Sequence, residues 1–256
     1  MTSSAATDYP SSAQEFAALD PELLAQRLAG PPDEAAQWIL SSAKLGVPEA
    51  QALLGQILLD GRGLERDAAQ ARIWFQRSAH SGNVMGMNML GRCHELGWGG
   101  EVDLLSAAYW YQQAAARGLD WGMYNYANLL SHDDSVLGDR VRALEWYRKA
   151  AAMGHAKSIN LVGRFYEEGW VVAADLDTAF DYYHRSAVAG DFRGQYNYGR
   201  MLADRGRVDE GAQWIRKTLD TATPGFIRKM GHALSDSPHV SFRELAQIAL
   251  QHANAI

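Results

Sequence analysis

The stretch Asp67-Ala-Ala-Gln-Ala-Arg-Ile-Trp-Phe-Gln-Arg-Ser-Ala-His-Ser-Gly82 decides the fold. Ala71, Trp74, Phe75, Ser78 and Ala79 fall at i, i+3, i+4, i+7 and i+8, the stripe of an amphipathic helix. Asp67 stands where an N-cap accepts the first backbone N–H groups, and Gly82 where a left-handed residue ends the helix cheaply. The pattern returns every 36 residues, with Trp38, Trp74, Trp110, Trp146 and Tyr182 in register and Trp214 four residues early. Three residues before each aromatic stand Ala35, Ala71, Ala107, Ala143, Ala179 and Gly211, and five after stand Ala43, Ala79, Ala115, Ala151 and Ala187. The aromatic supplies area for burial, and the small residues let a neighbouring helix approach. Repetition at such a period marks a solenoid, in which each unit buries its apolar face only against its neighbours.

A second helix follows each of these. Its signature is a bulky residue and then a small one: Leu54-Gly55, Leu90-Gly91, Tyr126-Ala127, Val162-Gly163, Tyr198-Gly199 and Met230-Gly231. The small residue is expected where two helices cross. The aromatic-bearing helix is termed B and its partner A. A glycine-bearing loop leads from A to the next cap, at Asp67, Asp103, Asp139 and Asp175. The third unit replaces its loop glycines with Ser131-His132-Asp133-Asp134-Ser135, and the fifth loses four residues and reads Ala203-Asp204-Arg205-Gly206-Arg207.

The recurring Leu-Gly, Gly-x-Gly, Asp, Ala-x-x-Trp-Tyr/Phe-x-x-Ala-Ala-x-x-Gly resembles the Sel-one-like repeat (SLR), a relative of the tetratricopeptide repeat, over residues 33–233. The resemblance implies an all-α, right-handed α/α superhelical solenoid of antiparallel pairs with helix A on the concave surface. Asp20-Pro21 reads as a cap and first turn of a short helix that Gly30-Pro31-Pro32 stops, and Ser241-Phe242-Arg243-Glu244 as a capping box before a final helix. These ends define three expected segments: a tail over 1–19, a solenoid over 20–240 and a capping helix over 241–256. About fourteen helices in seven pairs are expected.

Carried onto helix A, the repeat produces polar columns. One reads Gln56, Arg92, Asn128, Arg164, Arg200 and His232; another reads Ala52, Asn88, Tyr124, Asn160 and Tyr196. Glu49, Met85, Trp121, Lys157 and Arg193 form a rim, and Asn125 and Asn197 lie one residue beyond the tyrosines. Arg and Asn at such rungs can hydrogen-bond a backbone or a carboxylate, and Tyr124, Tyr196 and Trp121 can anchor a ligand by apolar area. The expected peptide-binding set is Asn88, Arg92, Trp121, Tyr124, Asn125, Asn128, Asn160, Arg164, Tyr196, Asn197 and Arg200. The competing reading is a solvated curved surface, in which Arg92 pairs with Glu95 and Arg164 with Glu167 or Glu168.

Trp98 and Trp170 stand 72 residues apart in the loop after helix A. Either they form a second contact surface, or each folds over its own helix pair. Of Met85, Met87 and Met89, two are expected to point into packing, and Cys93 reads as a small buried hydrophobe.

Composition narrows the function. A formal charge of −6 argues against nucleic acid or an anionic membrane as the main partner. Hydrophobic content of 47% suits a folded chain, and one cysteine permits no internal disulfide, which fits a reducing, cytoplasmic compartment. The histidines show no metal-ligand spacing and no phosphate-binding glycine loop follows a strand, so no cofactor, no metal and no catalysis are expected. The expected function is a non-catalytic adaptor or scaffold holding another protein's segment in the concave groove. The alternatives are a regulatory or chaperone-like subunit contacting one enzyme through the loop face of Trp98 and Trp170, and a hydrolase or metal-dependent enzyme at His132-Asp133-Asp134.

Overall fold

A computed structural model describes residues 20–132 and 137–255, together with Tyr9, Ser12, Gln14, Glu15 and Ala18. The described residues form fourteen α-helices, a short 3-10 turn over Thr218–Asp220 and no strand. They fall into two compact units, residues 1–129 and 130–256.

In the first unit lie α1 (Pro21–Leu28), α2 (Pro32–Lys44), α3 (Pro48–Asp60), α4 (Ala68–His80), α5 (Val84–Leu96), α6 (Leu104–Ala116) and most of α7 (Asp120–Ser131). The second holds α8 (Arg140–Ala152), α9 (Ala156–Glu168), α10 (Leu176–Val188), α11 (Phe192–Asp204), α12 (Val208–Lys217), α13 (Pro224–Ser235) and α14 (Val240–Ala255). Helices B are thus α2, α4, α6, α8, α10 and α12, and helices A are α3, α5, α7, α9, α11 and α13.

Two kinds of turn join them. From B to A, Gly46, Gly82, Gly118, Gly154 and Gly190 all take φ of 87–89°. At Gly82 a Cβ would meet nothing within 4 Å, so the requirement for glycine there is the left-handed backbone alone. From A to B, the aspartate closes the loop with both backbone and side chain. Asp103 N donates to His94 O at 2.8 Å, while its carboxylate accepts from Ser106 N at 3.0 Å. Asp67, Asp139 and Asp175 make the equivalent bonds. The third loop, despite its different residues, keeps this closure through Asp139 N to Leu130 O at 2.8 Å.

The repeating aromatic turns out not to be the deepest residue. Trp38 and Trp74 are buried, but Trp110, Trp146, Tyr182 and Trp214 are only half-buried. The residue after it is the plug: Phe75, Tyr111, Tyr183 and Ile215 are 0% exposed, and Tyr147 1%. The periodic aromatic instead lies at the edge of the stripe, where a cation one turn on covers its face. Arg77 lies 4.5 Å from the centre of Trp74, Lys149 4.1 Å from Trp146 and Lys217 3.8 Å from Trp214.

Phe75, Tyr111 and Tyr183 press on the bare backbone of the preceding helix A. A Cβ on Gly55 would lie 2.6 Å from the Phe75 ring, and one on Gly91 2.6 Å from Tyr111; the same place holds Gly163 against Tyr183. The bulky-small dipeptide therefore marks the crossing of helix A with the next helix B, as its pattern suggested.

The ends differ in part from expectation. Asp20 caps α1, accepting from Glu22 N at 2.9 Å. At the other end the helix begins at Val240, so Ser241 sits in its first turn rather than at the cap. Ser237 closes the turn before it, with its hydroxyl accepting from His239 N at 3.3 Å and its carbonyl from Arg243 Nη1 at 2.7 Å. Phe242, Leu245 and Ala249 of α14 close over Ile215, Ile227 and Met230 as one apolar cluster.

Replacing Gly91 by Ala forces a methyl into Tyr111 and is expected to lower the unfolding free energy by about 1–3 kcal/mol, outweighing alanine's helix preference. Thermal and urea unfolding of the variant test this. A stability equal to or above wild type would show that the ring gives way and that the crossing is not close-packed.

Candidate functional site

The face of helix A is built from a module that recurs at 72 residues, twice the basic period. Asn88, Arg92, Glu95, Trp98, Tyr111, Tyr124 and Asn125 in the first unit match Asn160, Arg164, Glu167, Trp170, Tyr183, Tyr196 and Asn197 in the second. Each copy lies wholly within one unit, and each is assembled in the same way.

The core dictates the first link. Tyr111 and Tyr183 are fully buried plugs, yet each carries a hydroxyl that must find a partner. Tyr111 Oη donates to Glu95 Oε2, and Tyr183 Oη donates to Glu167 Oε2 at 2.6 Å. Burial, followed by the adjacent carboxylate, pushes both phenols far above their ordinary range, so both remain donors. In the second unit Glu167 also accepts from Arg200 Nη2, and Arg200 lies 3.7 Å from Asp204. Position 128 holds Asn in the first unit, where this cation has no counterpart.

A second link joins successive A helices. Asn125 Nδ2 donates to Asn88 Oδ1 at 2.9 Å, and Asn197 Nδ2 donates to Asn160 Oδ1 at 3.0 Å. Asn88 and Asn160 are each only 4% exposed. Their expected contact with a ligand is therefore corrected: the packing of adjacent A helices covers them, and they hold Asn125 and Asn197 in place. Asn125, Asn128, Tyr124, Tyr196, Asn197, Arg92 and Arg200 are half-buried, while Trp121 and Arg164 are exposed.

The arginines are partly engaged. Arg92 lies over Trp98 at 4.8 Å and Arg164 over Trp170 at 4.8 Å, with Arg140 at 4.7 Å from Trp170. Trp170 also meets Phe165 edge-on at 5.5 Å, and both loop tryptophans are half-buried. Each tryptophan thus lies against an arginine of the helix A before it, and Trp170 is flanked by two. Arg164 lies 4.0 Å from Glu168, as helical spacing allows. Beside Trp170, Val171 holds φ 53°, a left-handed conformation that Gly99 adopts at the matching place.

The apolar groups differ between units. In the first, a hollow of about 400 Å³ opens between α3 and α5, lined by Ala52, Leu53, Met85 and Met89 with Glu49 and Asn83 at its edge. Trp121 and Tyr124 stand edge to face at 5.9 Å. In the second, Tyr196 meets Phe226 at 5.8 Å, Phe226 meets Phe192 at 4.8 Å, and Arg193 covers Phe192 at 4.4 Å. Met85 is exposed while Met87 and Met89 are buried, as the alternation suggested.

Cys93 and Asp191 are buried titratable groups outside the module. Cys93 is 0% exposed, and burial pushes its thiol up to about 11 against the opposing pull of Arg72 and Arg92, so it is a packed thiol rather than a nucleophile. Asp191 caps α11 by accepting from Gly194 N at 2.9 Å, and burial raises its carboxyl above the ordinary range. His132 is exposed, while Asp133 and Asp134 lie outside the described residues. Among the described residues no three His, Cys, Asp or Glu side chains converge on a metal site, and no helix is long and apolar enough to cross a membrane.

Comparison with known proteins adds the family. The Sel1 repeat profile matches residues 48–83, 84–119, 122–155 and 156–191. The chain is similar to a solved Sel1 repeat protein from Oxalobacter formigenes, with 21% identity, 91% of this chain and 98% of that one covered, and a TM-score of 0.78. It is similar to a protective antigen of uropathogenic Escherichia coli displaying an SLR fold, at 23% identity over 91% of this chain and 52% of that one, TM-score 0.69. An immunity protein from Pseudomonas aeruginosa shares 15% identity over 81% of each chain, TM-score 0.57. No curated protein sequence matches significantly.

Glu167 holds two donors where Glu95 holds one from helix B, so Glu167→Gln is expected to cost about 1–3 kcal/mol and Glu95→Gln measurably less. Urea unfolding of the two variants separates them, and equal losses would show that Arg200 contributes nothing to the module. Asp191 supplies a pH test. Its folded-state pKa is raised, so the native chain binds more protons than the unfolded one between the ordinary carboxylate value and the raised one, and stability falls as pH rises through that window. Asp191→Asn keeps an acceptor for Gly194 N and is expected to lose that decline relative to wild type. Parallel pH profiles for the two proteins would show that Asp191 titrates normally.

Proposed function

Because the chain belongs to the Sel1-repeat family, whose repeats mediate protein–protein interaction, we propose that it is a non-catalytic adaptor or scaffold that binds a polypeptide segment along the helix-A face. The observation that supports this is the arrangement around Asn125 and Asn197. In both copies of the module, buried groups fix these amides beside a half-buried tyrosine, Tyr124 or Tyr196. Neither the Tyr111–Glu95 bond nor the Tyr183–Glu167 bond requires an amide or an aromatic at those outer positions. An asparagine held one residue from an aromatic presents a donor and an acceptor beside apolar area, the combination that an extended backbone with one anchoring side chain needs.

The ligand-contacting set then consists of Trp121, Tyr124, Asn125, Asn128, Tyr196, Asn197 and the outer edges of Arg92, Arg164 and Arg200, with Asn88 and Asn160 as positioning residues. Trp98 and Trp170 serve as covers over their own helix pairs rather than as a second docking surface. The single buried cysteine and the composition support a cytoplasmic assignment.

Site-specific photo-crosslinking tests the reading. A photoreactive residue at Tyr124 or Tyr196 is expected to capture a partner, while the same residue at Tyr109, exposed on helix B, is not. Trp121→Ala with Tyr196→Ala, checked for folding by circular dichroism, is expected to weaken capture by roughly 2 kcal/mol or more, as loss of an aromatic anchor does. Capture from Tyr109 alone, or capture unaffected by the double variant, would sink the proposal.

A further inference from the structure

The rim of the helix-A face changes chemistry in chain order. Glu49 and the exposed Met85 and Trp121 occupy it in the first unit, and Lys157 and Arg193 occupy it in the second. The helices behind the rim follow the same division. In the second unit α9, α11 and α13 carry six cations against three carboxylates, whereas in the first α3, α5 and α7 carry one cation, Arg92, against four carboxylates. This excess of positive charge stands out because the whole chain has a formal charge of −6.

The strongest group in the second unit is Arg193. It is exposed, and its guanidinium lies 4.4 Å from the ring centre of Phe192 and 5.9 Å from that of Phe226. Stacking on two rings restricts the long side chain before any ligand arrives, which lowers the ordering cost of a fork-shaped contact to a carboxylate. Phe192, Phe226 and Tyr196 supply apolar area next to it.

On the reading that this face binds polypeptide, we propose that the second unit's helix-A face selects an acidic segment of its partner, with Arg193 and Lys157 as the charge-reading residues and the Phe192–Phe226–Tyr196 group seating an apolar side chain beside them. A polypeptide fits better than the other polyanions. Glu167, Glu168 and Asp204 are interleaved with the cations. Those carboxylates can accept peptide N–H bonds but repel a phosphate backbone, which carries a charge at every residue. The overall negative charge acts in the same direction against nucleic acid and anionic lipid.

The test uses the full chain and fluorescence anisotropy with a fluorescein-labelled peptide of Asp-Glu-Leu triplets, beside a Lys-Arg-Leu counterpart. The acidic peptide is expected to bind, more weakly as salt rises. Lys157→Gln/Arg193→Gln is expected to reduce its affinity about tenfold or more, while Glu145→Gln, an exposed change on helix B in the same unit, leaves it unchanged. The neutral substitutions avoid placing a carboxylate beside Asp191. An acidic peptide that does not bind, or binds equally to the double variant, overturns the proposal. So does its ready displacement by a thymidine oligonucleotide or a phosphatidylserine vesicle at equal charge. Binding of the Lys-Arg-Leu peptide alone overturns the acidic assignment but leaves the face a polypeptide site, which the crosslinking at Tyr124 and Tyr196 judges independently.

Discussion

An aromatic ring pressed onto bare backbone is the contact on which the remaining features rest. Phe75 lies on Gly55 and Tyr111 on Gly91 at distances that admit no Cβ, and Tyr183 lies on Gly163 at one that leaves a Cβ tight. The contact fixes the separation of helix A from the next helix B, because a ring packed on a glycine leaves no slack for either axis. The loop between the two helices then has a set span to cross, and the same closure recurs there. Asp67, Asp103, Asp139 and Asp175 each bond back to a carbonyl of helix A before capping helix B. Even the third loop, without its usual glycines, obeys this geometry.

A tyrosine in that place has a consequence that a phenylalanine lacks. The ring goes to the bottom of the interface, and its hydroxyl lies one turn farther along helix A, where it needs an acceptor. Glu95 and Glu167 answer that need; the first plug is Phe75, and Leu59 stands at the matching place. A half-buried carboxylate in turn attracts a cation, which Arg200 provides in the second unit. The polar groups on the helix-A face are therefore partly a product of the core. This separates residues retained by packing from those the core does not explain, and Tyr124, Tyr196, Asn125 and Asn197 belong to the second kind.

Much of this architecture was legible in the sequence. The 36-residue register located the paired helices of the repeats, the aspartate caps and the glycine stops, because each depends on local backbone chemistry. Which of two adjacent residues lies deeper was not legible. Trp110 and Trp146 repeat more visibly than their neighbours Tyr111 and Tyr147, but a large indole at the edge of a stripe can be half-covered by a cation and still be required. The burial of Asn88 and Asn160 was hidden for a different reason. It arises from contact between successive A helices, 37 residues apart, which no pattern within one helix reports. The doubled period was present in Trp98 and Trp170, yet its meaning emerges only when both tryptophans are seen against Arg92 and Arg164. The turn at Ser237 was not legible, because Ser241 and Glu244 formed the more familiar capping-box spacing.

What the packing leaves undetermined is where selectivity can reside. Positions 55, 91 and 163 face a ring that leaves a side chain little or no room, and positions 67, 103, 139 and 175 are committed to capping, so neither set can encode a partner. The rim at 49, 85, 121, 157 and 193 lies outside the ring-on-backbone contacts and carries five different side chains in five repeats. A core residue repeats because each unit solves the same packing problem. A binding residue differs because each unit meets a different stretch of ligand. Variation of this kind at the rim is what the proposed ligand-reading surface is expected to show.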